Sequence, residues 1–100
     1  MSSFTLTQKA KFDLKLIASH TQKEWGVSQR NIYIKQFDDT FQTLADNPNI
    51  GVSCDFIKAN YQKFPCSNHM IYYYSIDEKQ IVIVRILHQR MDAESKFQNT

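Results

Sequence analysis

The side chains best equipped for chemistry lie in the second half of the chain: Lys58, Lys63, His69, Tyr72, Tyr73, Tyr74, Arg85, His88 and Arg90. Histidine with arginine or lysine can support phosphodiester cleavage, one group moving protons while the cations stabilise charge on the phosphate. Residue types alone do not single out that chemistry, because a small basic domain holds such residues by chance. Each also has a structural reading. Alternate tyrosine rings can fill a core while the others shield a sheet. Arg85 can lay its stem along a sheet and send its head to water or a carboxylate. His88 can be a strand-end histidine hydrogen-bonded to backbone. No nucleophile motif, phosphate-binding glycine loop or helix-borne metal pair is present.

Metal and disulfide chemistry find little support. Cys54 and Cys66 form neither a disulfide framework nor a C-x-x-C pair. A zinc site would need two further ligands, and the spacing of His20, His69 and His88 matches no zinc template. Two reduced thiols and no cofactor are expected. A formal charge of +2 is too small to advertise a nucleic-acid partner. Met1 to Thr7 has neither a basic lead nor an apolar run, and no apolar stretch approaches a membrane span. The expected setting is soluble and cytoplasmic. At 100 residues, 42% of them hydrophobic, the chain can bury one core without metals or disulfides.

The elements that must position these residues are legible from periodicity. Residues 69–76 and 81–87 read as two strands joined by the polar turn Asp77-Glu78-Lys79-Gln80. A period of two puts Val82, Val84, Ile86 and His88 on one face of the second strand and Ile81, Ile83, Arg85 and Leu87 on the other. Both faces are apolar, which predicts a strand inside the sheet. Phe4 and Leu6 alternate in a short first strand, and Thr7 can cap a helix beginning at Gln8. Its stripe is Ala10, Leu14, Ile17, Ala18, Thr21 and Trp25, with Asp13 off it. Gly26 ends that helix, and Ser28 can cap a second one carrying Tyr33, Phe37, Phe41, Leu44 and Ala45, which closes before Pro48. The short connection predicts a helical hairpin. Residues 48–60 read as a loop, extended at most around Phe56 and Ile57. Residues 61–64 read as a strand that Pro65 ends or marks as an edge. Asp92 can cap a last turn through Lys96, and 97–100 read as a loose end. The order β-α-α-β-β-β predicts an α+β domain: an antiparallel sheet with a helical hairpin packed on one face.

The strand pair His69-Met70-Ile71-Tyr72-Tyr73 and Ile81 to Asp92, above all the run R-I-L-H-Q-R-M-D, closely resembles the signature of ParE toxins of the RelE/ParE superfamily. The likeness extends to Leu6-Thr7, Ala10, Asp13-Leu14, Ile17, Trp25-Gly26, Tyr33, Leu44-Ala45, Pro48, Gly51 and Phe64-Pro65, and so spans Phe4 to Phe97. It departs from the family in two places. The family's central glycine-arginine pattern reads Ala59-Asn60-Tyr61-Gln62-Lys63, and the arginine frequent before the strand histidine is Asn68. No role for a basic cluster at the middle strand is carried over.

The resemblance implies a single domain that poisons DNA gyrase by trapping it on cleaved DNA. It also implies silencing by a ParD-like antitoxin whose tail folds on binding. Such a toxin breaks no bond itself. Exposed residues near the end of the last strand are expected to meet gyrase: Arg85, His88, Arg90, Met91 and Asp92. The antitoxin is expected on apolar surface at Phe12, Leu16, Tyr73 and Leu87. The rival expectation is a RelE-like ribosome-dependent ribonuclease. Against it, Phe97 stands where those enzymes often carry an acid–base tyrosine, and Asp92 stands where they are basic.

Overall fold

A computed structural model describes residues 2–91 and 93–98 of the chain. Strand β1 (Ser3–Leu6) leads through Thr7 into α1 (Gln8–Trp25), and α2 (Val27–Asp46) returns antiparallel to it. The Thr7 hydroxyl accepts from Ala10 N at 3.1 Å and donates to the Val84 carbonyl at 2.8 Å. The predicted cap therefore also ties the start of α1 to the sheet. Gly26, at φ 95°, ends α1 and directly precedes α2. Its left-handed backbone is what permits a one-residue connection. Ser28 does not act as the second cap, because α2 has already begun at Val27, without a side-chain cap bond.

The helices bury Ala10, Ile17, Phe37, Phe41, Leu44 and Ala45 against the sheet. The predicted α1 stripe needs two corrections. Asp13 is buried, and Trp25 is 74% exposed because the last turn of α1 is exposed on all its faces.

After the 3₁₀ turn Pro48–Ile50 come β2 (Val52–Ser53), β3 (Gln62–Cys66), β4 (His69–Ser75), β5 (Gln80–His88) and α3 (Ala93–Gln98). The sheet order is β1-β5-β4-β3-β2, so β5 is interior, as its two apolar faces predict. All pairs are antiparallel except β1 with β5. The missed element is β2, two residues long, where the sequence suggests extension near Phe56. It adds one chain reversal between β1 and β5, which makes them parallel rather than antiparallel. Pro65 lies within β3, on a stretch that β2 leaves uncovered, since β2 pairs only with Gln62 and Lys63. Gly51 is required at the entry to β2, because a Cβ there would collide with the Tyr73 hydroxyl.

Between Tyr72 and Tyr73 the register slips by one residue: Tyr72 faces Arg85, and Tyr73 faces Ile83. Val84 is the extra residue of a β-bulge, which reverses the alternation beyond it. Ile86 therefore joins Ile81 and Ile83 under the helices, while Leu87 packs with Cys54 and Tyr72 on the far side. Strict alternation assigns Ile86 and Leu87 to the opposite faces.

The far side of the sheet is also covered. Ile57, Tyr61, Ala93 and Phe97 pack against Cys54, Tyr72 and Leu87. Tyr61 stacks on Tyr74 at 5.6 Å, and Phe97 meets Tyr72 edge-on at 5.1 Å. Phe97 is thus packed rather than loose. The predicted Asp92 cap and the end at 99–100 lie outside the described residues.

Candidate functional site

A groove of about 900 Å³ opens between the helical hairpin and the end of the sheet where β4 begins and β5 finishes. Leu16, His20 and Trp25 wall it from α1, Tyr33 from α2, and His69 and His88 floor it, with Met91 at the rim. Every histidine of the chain faces this one groove. The His69 and His88 rings, opposite one another in register, meet edge-on with centroids 5.3 Å apart. The Tyr33 hydroxyl lies 3.1 Å from His69 Nδ1. Burial pushes the His69 pKa below the usual histidine value. The neighbouring His88 and His20 push the same way, and Asp13 works against them. Among the described residues no group of three or more metal-type ligands converges here or elsewhere.

His69 and His88 are the two imidazoles on the floor of the groove, but phosphate chemistry needs a cation beside such a pair. Among the described residues no lysine or arginine lines the groove. Arg85 is engaged elsewhere. Its guanidinium donates to both oxygens of Asp13, at 2.8 and 3.0 Å, and Asp13 also accepts from the Ile86 backbone N–H at 3.0 Å. The carboxylate sits where β1, ending at Leu6, no longer covers the edge of β5. It supplies the acceptor a neighbouring strand would otherwise provide. Sequence reasoning missed Asp13 as a structural residue. The signal was there: Ala10, Asp13, Ile17 and Thr21 recur at helical steps, and a lone arginine in an interior strand calls for a carboxylate.

The expected gyrase-contact residues therefore divide. Arg85 is held in its ion pair and is not a free surface residue, which corrects that expectation. His88 is half-buried in the groove, and its Nδ1 accepts from Arg90 N at 3.1 Å, in line with the backbone-bonded reading. Arg90 and Met91 are exposed on the turn after β5, Met91 at 47%. Asp92 lies outside the described residues.

The expected antitoxin residues divide too. Phe12 and Leu16, 60% and 54% exposed, stand one helical turn apart on α1. Tyr73 and Leu87 are buried and present no surface, a second correction. Tyr73 is a core post: its hydroxyl donates to the Pro48 carbonyl at 2.8 Å and accepts from Gly51 N at 3.0 Å. Leu87 is inverted by the bulge. Trp25 was missed as surface because its spacing fits the buried stripe, and only the early end of the packed helix exposes it. Both cysteines are free and buried, and burial pushes their thiols up, away from thiolate reactivity.

The comparisons with known proteins agree with one another. The family described as "ParE toxin of type II toxin-antitoxin system, parDE" matches residues 4–93. Toxin ParE1 of Mycobacterium tuberculosis is 36% identical over 93 residues, covering 93% of this chain and 95% of its own length. Toxin ParE1 of Caulobacter vibrioides is 28% identical, with 95% and 97% covered. A solved chain from a chromosomal ParDE system of P. aeruginosa superposes with a TM-score of 0.72 at 20% identity, covering 88% of this chain and 96% of that one. At that identity it speaks for the fold.

Proposed function

This chain belongs to the ParE toxin family of type II toxin–antitoxin systems, and from that premise we propose that it poisons DNA gyrase in the cytoplasm, trapping it on cleaved DNA. The observation that carries this reading is the family match across residues 4–93. The mechanism is differential binding. A poison must favour the cleaved gyrase–DNA state over the others, or it shifts no population. Arg90 and Met91 suit that role, since they offer charge and apolar reach side by side on an exposed turn.

The protein acts without breaking bonds. Phe97 is packed against Tyr72 and Tyr61 and has no proton to transfer, while a positioned general acid or base is worth about 10²–10⁴-fold in rate. Among the described residues, the lining of the groove around His69 and His88 holds no lysine or arginine. A ParD-like antitoxin silences the toxin by covering the exposed apolar residues of α1, Phe12 and Leu16, with Trp25 beyond them.

Purified protein added to a gyrase supercoiling and cleavage assay should raise the linear DNA trapped with gyrase. In parallel, it should leave ribosome-bound messenger intact. Untouched gyrase with cleaved messenger would replace this reading with the ribonuclease one. For the antitoxin, hydrogen exchange of the complex should slow at residues 12–25, and unchanged exchange there would move the antitoxin elsewhere.

A further inference from the structure

Where β5 ends, the turn is held by three hydrogen bonds from successive backbone amides. Gln89 N donates to the Asn68 carbonyl at 3.0 Å, Met91 N to the His88 carbonyl at 2.9 Å, and Arg90 N to His88 Nδ1 at 3.1 Å. The last differs in kind, because its acceptor can titrate. An imidazole nitrogen accepts only while it carries no proton, and an imidazolium donates from both nitrogens. The observed contact thus requires a neutral His88 with its proton on Nε2. In the protonated ring, Nδ1–H would face the Arg90 N–H, donor against donor.

We propose that His88 is a positioning residue that holds the Arg90–Met91 turn in place, and that protonating it releases the turn. Histidine is the side chain that ordinarily changes charge between pH 5 and 8.

The surroundings make His88, and not its neighbour, the latch. His69 of β4 stands edge-on to it, and His20 of α1 and Tyr33 of α2 line the same groove. Arg85 lies three residues back in β5, tied to Asp13 of α1, and Arg90 lies in the turn itself. Cys66 of β3 is opposite His69 in register, and burial keeps its thiol protonated. Asp13, the carboxylate among these groups, is already engaged by Arg85 and the Ile86 N–H. His69 could take a proton without losing its contact, since the Tyr33 hydroxyl can accept as well as donate. His88 could not, since a backbone N–H only donates. The proposal concerns the turn itself and holds whether or not that turn touches gyrase.

Nuclear magnetic resonance on the intact, isotope-labelled chain from pH 8 to pH 5 tests it. Exchange protection of the Arg90 amide, corrected for intrinsic exchange, should fall roughly five- to tenfold, the scale of one hydrogen bond. The fall should track the His88 ring signals. His88→Asn offers a side-chain oxygen near the Nδ1 position and does not titrate, so it should keep the amide protected at both pH values. His88→Leu should leave it unprotected at both, with the remaining backbone spectrum unchanged. Equal protection at pH 8 and pH 5 in the unmodified chain would overturn the proposal. So would an acid-induced loss that persists in His88→Asn, or one that vanishes in His69→Asn.

Discussion

Both halves of β5 bury isoleucine under the helical hairpin, but only the second half reaches the groove and the exposed turn. From Gln80 to Ile83 the strand lies between β1 and β4, and Ile81 and Ile83 are sealed under the helical hairpin. From Val84 onward β1 has ended, the strand is bulged, and its open edge is closed by a carboxylate from α1. That half carries Arg85 and His88 and ends at the exposed Arg90 and Met91. One extra residue and one lost neighbouring strand keep Ile86 and Leu87 buried but carry the end of the strand, at His88, to the floor of a groove.

The comparison breaks most sharply in the first half. Ile83→Ala removes a fully buried side chain, which typically costs about 2–5 kcal/mol including the cavity it leaves. The melting temperature should fall by more than it does for Asp13→Ala, His69→Asn or Arg90→Ala. A drop no larger than that of an exposed residue such as Ile76 would refute the assignment of this half as the core.

Asp13→Ala should come second. It strands a half-buried guanidinium and leaves the Ile86 N–H without its acceptor. Breaking a buried pair costs about 3–5 kcal/mol. Because Arg85 keeps some contact with water, the lower end of that range is expected. Asp13→Asn should recover part of the loss, since its amide oxygen can still accept from Ile86 N. Chemical denaturation of the three proteins measures both effects. Equal losses for Ala and Asn would mean that the charge matters and the backbone bond does not.

The same division separates what the sequence makes legible from what it does not. The helical hairpin, its Thr7 cap, the Gly26 reversal and the interior position of β5 all follow from local patterns: period, capping chemistry and apolar faces. The groove does not. It depends on where β1 stops, on a bulge that nothing at Val84 announces, and on two elements meeting across many residues. Leu87 was misplaced for that reason, since the bulge turns it to the far face, where Cys54, Ile57, Tyr61 and α3 cover it. Tyr73 was misplaced because it lies under the helices, its hydroxyl tied to Pro48 and Gly51 from a loop with no periodic signature. The exposure of Arg90 and Met91 was legible, because they follow the last apolar residues of the strand.

A smaller effect should appear on acidification, and it belongs to the second half. Burial lowers the His69 pKa in the folded chain below its unfolded value. The unfolded chain then binds more protons between the two values, so stability rises with pH across that window. The contribution of a neutral His69 is fully present above the usual histidine pKa of about 6.5. It is lost as pH falls toward the folded value. Melting temperature should decline from pH 7.5 to pH 5, and His69→Asn should flatten part of that slope. An unchanged slope in the variant would assign the acid sensitivity to other groups.

The smallest effect on the fold is expected at Arg90, where the largest effect on gyrase is expected. Its side chain is exposed and makes no described ion pair, so Arg90→Ala should alter stability by less than about 0.5 kcal/mol. It leaves the backbone bond to His88 in place, because that bond uses the main-chain N–H. Antitoxin affinity should also stay, if the antitoxin lies on Phe12 and Leu16 of α1. Only the trapping of gyrase on cleaved DNA should fall. This pattern separates a contact role from a structural one: Asp13→Ala should reduce stability and trapping together, while Arg90→Ala should reduce trapping alone. If Arg90→Ala traps gyrase as well as the unmodified chain, the contact surface lies elsewhere, and the exposed edge of α1 becomes the next place to substitute. If it loses antitoxin binding instead, the turn after β5 is part of the antitoxin's footprint, and the two partners compete for the same end of the strand.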